Sequence, residues 1–246
     1  MKEDSYQPRT YRHHIESTGL AAFTVAVKET DLYIRAGSNL QRKARRLVLK
    51  YRAQLERYIE QNPGFQTSLK PLPLPETAPR IVKEMIEAGQ KANVGPMAAV
   101  AGAIAEFVGT ELLEFSPEII VENGGDIFIK ASSKKVVGIY AGESPLSGKI
   151  GVEIPPQETP LGVCTSSGTV GHSLSFGRAD AVVTIARSAA LADAAATAVC
   201  NLVQKPADIN TAIEKGRNIS GLKGIVIIIG GDIAVWGSIK LCETAL

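Results

Sequence analysis

A carboxylate and a hydroxyl four residues apart, Asp193 and Thr197, stand in the otherwise apolar run Ala192-Asp-Ala-Ala-Ala-Thr-Ala198. On a helix, positions i and i+4 share a face, so the two side chains lie one above the other. Asn201 extends that polar stripe by a further turn. The surrounding Ala, Leu and Val predict a buried helix, in which a carboxylate needs a compensating partner. An oxygen-ligated divalent cation such as Mg²⁺ suits this pair, with waters and ligand phosphates completing its octahedron. The same spacing also fits a plainer arrangement, in which Thr197 bonds back to the carbonyl four residues earlier and Asp193 caps a neighbouring loop.

Upstream, Thr165-Ser166-Ser167-Gly168-Thr169 gathers four hydroxyls around one glycine, and Gly171-His172-Ser173 follows directly. Such a loop can turn backbone N–H groups and hydroxyls toward phosphate or carbonyl oxygens. His172 is one of only three histidines, the others being His13 and His14 near the start. A lone histidine is more often structural than catalytic, but its place beside the hydroxyl loop makes it a candidate for proton transfer. A third candidate segment is Asn123-Gly124-Gly125-Asp126. Its Gly-Gly-Asp-Ile tetrapeptide recurs at Gly230 to Ile233, each copy lying in an apolar β-type run that follows a helical stretch. Paired glycines within a strand mark a bulge or the close approach of a ligand or another backbone. Only the first copy carries polar residues, Glu122 and Asn123, ahead of the glycines, so only it is equipped to meet a polar ligand.

The elements that must position these residues follow from periodicity. Ala21 to Lys28 and Leu32 to Ala36 read as a hairpin, and residues 39–61 as an amphipathic helix with a basic outer side. Five prolines within residues 63–79 make an extended connector. Helices are expected from Pro79 to Asn93 and from Met97 to about Leu113. Strands follow at Glu118 to Ala131 and Lys135 to Ala141, with a hairpin around Ser132, and then at Lys149 to Ile154. The second half repeats the theme: a strand at Ala181 to Ala186, helices at Ser188 to Val203 and Ala207 to Glu214, and terminal strands from Leu222. Helix followed by antiparallel hairpin, twice, predicts an α+β duplication in one compact domain, with halves at about 80–160 and 161–246. No strand runs into a GxGxxG turn opening a helix, which argues against a Rossmann unit.

Composition bounds the partners. With 246 residues, 45% of them hydrophobic, the chain can bury a large core, and its net charge of +2 supplies no global field for nucleic acid or membrane. The charge is uneven: residues 1–61 hold 12 Lys/Arg against 7 Asp/Glu, leaving −3 for the remainder. A basic face on an amphipathic helix is most simply a solvated surface. Cys164, Cys200 and Cys242 have no metal-ligand spacing and read as small reduced hydrophobes. The start lacks an apolar signal core and no apolar run reaches the ~20 residues of a membrane span, so a cytoplasmic protein is expected. Ala/Gly-rich helices would also serve as subunit contacts in a homo-oligomer.

Taken together, these segments resemble the ApbE-like superfamily, whose founding members are Mg²⁺-dependent FAD pyrophosphatase/FMN transferases that attach FMN to a threonine of partner flavoproteins. Asn123-Gly-Gly-Asp-Ile127 is similar to the family's Asn-x-Gly-Gly-Asp strand, Thr165-Ser-Ser-Gly168 to its Thr-Ser-Gly loop, and Ala192 to Ala198 to its Ala-Asp-Ala-x-Ala-Thr-Ala helix. The resemblance implies a Mg²⁺ held by Asp193 and Thr197. It further implies an FAD or FMN ligand along Asn123 to Asp126 and Thr165 to Thr169, with His172 as proton shuttle. A looser match sets Gly102-Ala-Ile-Ala105 against Gly-x-Ile-Ala-Lys-Gly, a segment that gives the metal a backbone carbonyl. Glu106 and Phe107 replace the Lys-Gly, and no Asp-Pro follows His172. These departures imply a branch with a remodelled active-site wall. Its members would either process flavin nucleotides or act as non-catalytic accessory proteins of a redox or sulfur-assimilation pathway.

Overall fold

The computed structural model describes residues 19–170 and 175–244. Two short-looped strands, β1 (Ala21–Val27) and β2 (Thr30–Ala36), lead into α1 (Gln41–Gln61). Its Ala44, Val48, Tyr51 and Leu55 recur at helical spacing and are buried. The proline-rich connector holds one turn of helix, α2 (Gly64–Thr67), before α3 (Arg80–Ala92). The next helix is shorter than the sequence suggests. Pro96–Ala99 winds as a 3₁₀ turn, and α4 begins only at Val100 and runs to Leu112.

The segment Glu118 to Ala131 is two strands, β3 (Ile119–Asn123) and β4 (Asp126–Lys130), joined at Gly124 and Gly125. The expected hairpin around Ser132 is not formed. β4 pairs with β7 (Leu161–Ser166), while β5 (Lys135–Gly138) crosses to a second sheet and pairs with β6 (Ile150–Ile154). The second half supplies β8 (Ala181–Ala186), α5 (Ala189–Cys200), α6 (Ile209–Gly216), β9 (Leu222–Ile229), β10 (Asp232–Gly237) and β11 (Lys240–Glu243). The large sheet has the order β1-β2-β3-β4-β7-β8-β9-β10 and the small one β11-β6-β5; every pairing is antiparallel.

Strand alternation sorts the core into layers. Val121, Phe128 and Cys164 of the large sheet pack with the helices, and Val182, Ile225 and Ile227 do so beside α6. Their neighbours Ile120, Ile129, Val163 and Val183 turn the other way and meet Val137, Val152 and Ile154 of the small sheet. The result is an α+β domain of three layers, with helices on one face of an antiparallel sheet and a small sheet on the other. A helix followed by a Gly-Gly hairpin occurs twice, as α4 to β3–β4 and α6 to β9–β10. Among the described residues no single helix is long and apolar enough to cross a membrane.

Candidate functional site

Both Gly-Gly pairs are hairpin turns rather than bulges within strands. Asn123 faces Asp126 across one turn and Ile229 faces Asp232 across the other. In the first turn Gly124 and Gly125 both have positive φ, +67° and +103°, the backbone of a two-residue type I′ turn that other residues rarely adopt. A side chain there would meet nothing within 4 Å, so conformation rather than space accounts for the glycines. The two copies differ at the aspartate. Asp126 shares the helix-side face with Phe128 and is only 5% exposed, whereas Asp232 is exposed on an edge strand.

The helix α5 carries Asp193 into the same space. Its small residues allow close approach on two sides: a Cβ on Gly102 of α4 would lie 2.2 Å from the Ala189 carbonyl oxygen, and one on Gly162 of β7 would lie 2.3 Å from the Ala189 Cα. The N-terminus of α5 is capped by Ser188, whose Oγ accepts from Leu191 N. It is also met by Glu106 of α4, which accepts from Ser188 Oγ at 3.0 Å, Ala189 N at 2.7 Å and Ala190 N at 3.3 Å. Asp193 does the converse for α4, its Oδ2 accepting from Gly102 N at 2.9 Å. Ala99, at the cap position of α4, offers no side-chain acceptor, so the carboxylate from α5 fills that role. The two helices therefore cap each other. The capping arrangement for Asp193 is thus present, and it leaves the residue on the wall of a cavity.

That cavity, about 350 Å³, is lined by Asp126, Asp193, Thr197 and Asn201 on one side and by residues of the connector and the 3₁₀ turn, including Leu69 and Met97, on the other. No Lys or Arg is among the described residues that line it. Burial pushes the Asp193 carboxyl up to about 7, although the N–H groups of Gly102 and Ala101 pull it down. Burial, reinforced by the charge of Asp193, holds Asp126 well above the usual carboxylate range, against a 3.3 Å bond from Thr165 N. The Cys164 thiol is buried beside both carboxyls and is raised by burial first and then by Asp126; it donates to the Ala189 carbonyl at 3.3 Å. Asn123 reaches the same region, donating to the Ala101 carbonyl at 3.1 Å. It borders an adjoining cavity of about 550 Å³ beneath α1, which shares Ala101 and Met97 with the first.

Two buried carboxyls without a cation create a deficit of positive charge that protons or a metal ion must fill. Two carboxyl residues and a threonine lining one cavity supply the oxygen donor types that suit a hard divalent cation, which keeps waters and takes ligand phosphates. Among the described residues no three His, Cys, Asp or Glu side chains converge into a closed metal cage.

The hydroxyl loop is placed differently from the carboxyls. Thr165 contributes its backbone N–H to Asp126, while its strand position turns its side chain to the face opposite Cys164. Ser166 is buried with its hydroxyl toward the Cys200 thiol. Ser167 Oγ accepts from the Thr169 and Val170 N–H groups, and Thr169 donates to Asp180, whose other oxygen accepts from Gly230 N. None of residues 165–169 lines the cavity. Gly168 is packed so that a Cβ would lie 2.0 Å from the Gly177 carbonyl oxygen. His172 lies outside the described residues.

Two participants escape the motif matches. Glu106 reads in the sequence as a departure from a Lys-Gly pair, and the one signal of its role is an acid interrupting an Ala/Gly-rich helix. Phe176 lines the cavity, and no periodicity marks it because it sits in a loop.

The family model described as AbpE bacteria matches residues 12–235. UPF0280 protein MJ1526 of Methanocaldococcus jannaschii is 44% identical over 221 residues, covering 87% of this chain and 90% of that protein. A UPF0280 protein of Methanococcus aeolicus is 43% identical, covering 87% and 89%. Among solved structures, the apo flavinyl transferase ApbE of Pseudomonas stutzeri matches with a TM-score of 0.60 at 14% identity, covering 88% of this chain and 93% of that one. The apbe protein of Thermotoga maritima matches with a TM-score of 0.55 at 15% identity, covering 87% and 96%. These distant structures share the fold, and the match over residues 12–235 shows that the chain belongs to the AbpE bacteria family.

Proposed function

We propose that this chain binds a flavin or other nucleotide-type ligand in the cavity beside α5, with its phosphates next to a Mg²⁺ ion held by Asp193 and Thr197. The observation that carries this reading is the charge deficit: Asp126 and Asp193 are buried together on a cavity wall that no Lys or Arg lines among the described residues. A divalent cation would fill that deficit and, when bound, would supply charge stabilisation to a pyrophosphate. The solved structures of similar fold titled flavin or flavinyl transferases support the choice of a flavin nucleotide. In this reading Asn123 and Asp126 order the wall, with Asn123 fixing the Ala101 carbonyl. The segments Gly124 to Gly125 and Thr165 to Thr169 do not line the cavity, so their part in ligand binding, like that of His172 as proton shuttle, rests on the motif resemblance.

Binding without turnover is a second reading with its own support. Ser167 and Thr169 are engaged in bonds inside their loop or to Asp180, and Glu106 occupies the lysine position of the transferase motif as a helix cap. Such a protein would serve as an accessory component of a redox or sulfur-assimilation pathway. One experiment separates the two. FAD is titrated with and without Mg²⁺ into wild type and Asp193→Asn, and the products are resolved by chromatography. Mg²⁺-dependent binding with release of FMN and AMP supports processing; binding alone supports the accessory role. Absence of FAD binding, or binding unchanged in Asp193→Asn, removes the site assignment.

A further inference from the structure

The polar stripe of α5 does not end at Thr197. Asn201, one turn on, is at the C-cap of the helix, and its Oδ1 accepts from Phe176 N at 2.8 Å and Ser175 Oγ at 3.3 Å. Gln204 donates from Nε2 to the Phe176 carbonyl at 2.7 Å. The next two residues are tied to the same helix end. A Cβ on Gly177 would lie 1.8 Å from the Cys200 carbonyl oxygen, and Arg178 N donates to the Val203 carbonyl at 2.7 Å. Both backbone polar groups of Phe176 are thus fixed by side chains, and the residue after it is pressed against the helix. Yet Phe176 is 57% exposed and borders the cavity that holds Asp193 and Thr197. Leu69, 59% exposed, borders the same cavity. A large apolar side chain held on a rigid mount and left uncovered over a charged pocket has the form of a preorganised contact surface.

We propose that Phe176 is a stacking platform for the planar aromatic ring of the ligand whose charged part occupies the Asp193–Thr197 end of the cavity, and that Asn201 is the positioning residue that holds it. The inference rests on the proposed nucleotide-type ligand and extends it. One helix would place the charge-binding residues and, through Asn201, the ring-binding residue. Phe176 supplies the face against which an aromatic heterocycle lies offset, with Leu69 adding apolar contact.

The test uses the full chain with excess Mg²⁺ and three probes: FAD, ADP and inorganic pyrophosphate. For Phe176→Leu and Phe176→Ala the affinity for ring-bearing probes falls roughly tenfold or more, the scale of a lost base–aromatic stack. Pyrophosphate binding is unchanged, and Phe176→Tyr restores the ring-bearing probes. The ring absorbance of bound FAD loses its shift and hypochromism in Phe176→Leu, a signature that a merely structural role would not move. Asn201→Ala shows the same spectral loss, and Asn201→Asp, which keeps the acceptor for Phe176 N, recovers it. Thermal melts confirm that each variant is folded. If FAD binds wild type and Phe176→Leu equally with the same spectrum, the stacking assignment falls while the flavin reading stands. If ADP binding depends on Phe176 and FAD does not bind, the flavin reading falls while the platform stands. If no probe binds wild type, both fall.

Discussion

At the scale of single residues, the same tetrapeptide gives two aspartates opposite environments. Asp126 follows its turn onto the helix side of a central strand and is buried beside Asp193; Asp232 follows a Gly-Gly turn in which only Gly230 has positive φ, onto an edge strand, and meets solvent. Charge removal should therefore act differently at the two sites. Asp126→Asn relieves repulsion in a desolvated pair, so without metal it should stabilise the protein at about pH 8, while weakening Mg²⁺-dependent ligand binding. Asp232→Asn should change stability by no more than about 0.5 kcal/mol and leave binding untouched. Thermal melts and FAD titration of both variants check this, and equal effects would undo the distinction. Part of the difference was legible in the sequence, because Glu122 and Asn123 precede only the first copy. Alternation across a tight turn then puts Asn123 and Asp126 on one face. The fate of the loop hydroxyls was not legible. Whether Ser167 and Thr169 face a ligand or bond within their own loop depends on φ/ψ choices and on Asp180, eleven residues beyond Thr169, which no spacing rule links to them.

At the scale of elements, α4 and α5 are bound to each other through their ends as well as their faces. Each N-terminus leaves N–H groups without intrahelical partners, and each helix lends the other a carboxylate, Glu106 in one direction and Asp193 in the other. Glu106 itself is raised by burial, offset by its three donors, which shows how closely the helices approach. Glu106→Lys therefore should not restore the lysine motif to function. It places a second donor against N–H donors and should destabilise by about 2 kcal/mol or more, whereas Glu106→Gln, which keeps an acceptor, should cost about 1 kcal/mol. Gly102→Ala should be worse still, since its Cβ would meet the Ala189 carbonyl at 2.2 Å and force the helices apart. Urea denaturation of the three variants tests the order, and a Glu106→Lys protein as stable as wild type would overturn the capping account. Helix limits were readable from periodicity at α1 and α3 because each has one apolar face, whereas α5 ends at Cys200, three residues before the expected Val203. The reciprocal cap was not, because it joins residues 82 to 91 positions apart in sequence. The supposed hairpin at Ser132 failed for a related reason. Local turn chemistry cannot tell a strand that pairs with its neighbour from one that crosses to another sheet.

At the scale of the whole molecule, stability should depend on pH with two opposing slopes. Several surface carboxylates, among them Glu56 and Glu111, are held below their ordinary range, first by hydrogen bonds from Lys28 and Lys50 respectively. Their contribution is present above the unfolded pKa and is lost as pH falls through the depressed folded values. Asp193 works in the other sense. Its folded value of about 7 exceeds the ordinary 3.8, so the folded state binds the extra proton between these limits and stability declines as pH rises across them. Asp126 and Glu106, also raised, add to that decline. The loss continues until Asp193 has ionised, above about pH 7. Without metal, the melting temperature should fall from about pH 5 to about pH 8. A divalent cation competes with the proton for the same carboxyls, so millimolar Mg²⁺ should raise the melting temperature at about pH 8 and have little effect at about pH 5. Asp193→Asn should flatten both the decline and the Mg²⁺ response. Scanning fluorimetry of the two proteins across this pH range, with and without Mg²⁺, measures all four quantities at once. A wild-type profile that stays level or climbs from about pH 5 to about pH 8, or a Mg²⁺ response independent of pH, would separate the buried carboxyl pair from the protein's stability and take with it the charge-deficit argument for the cation.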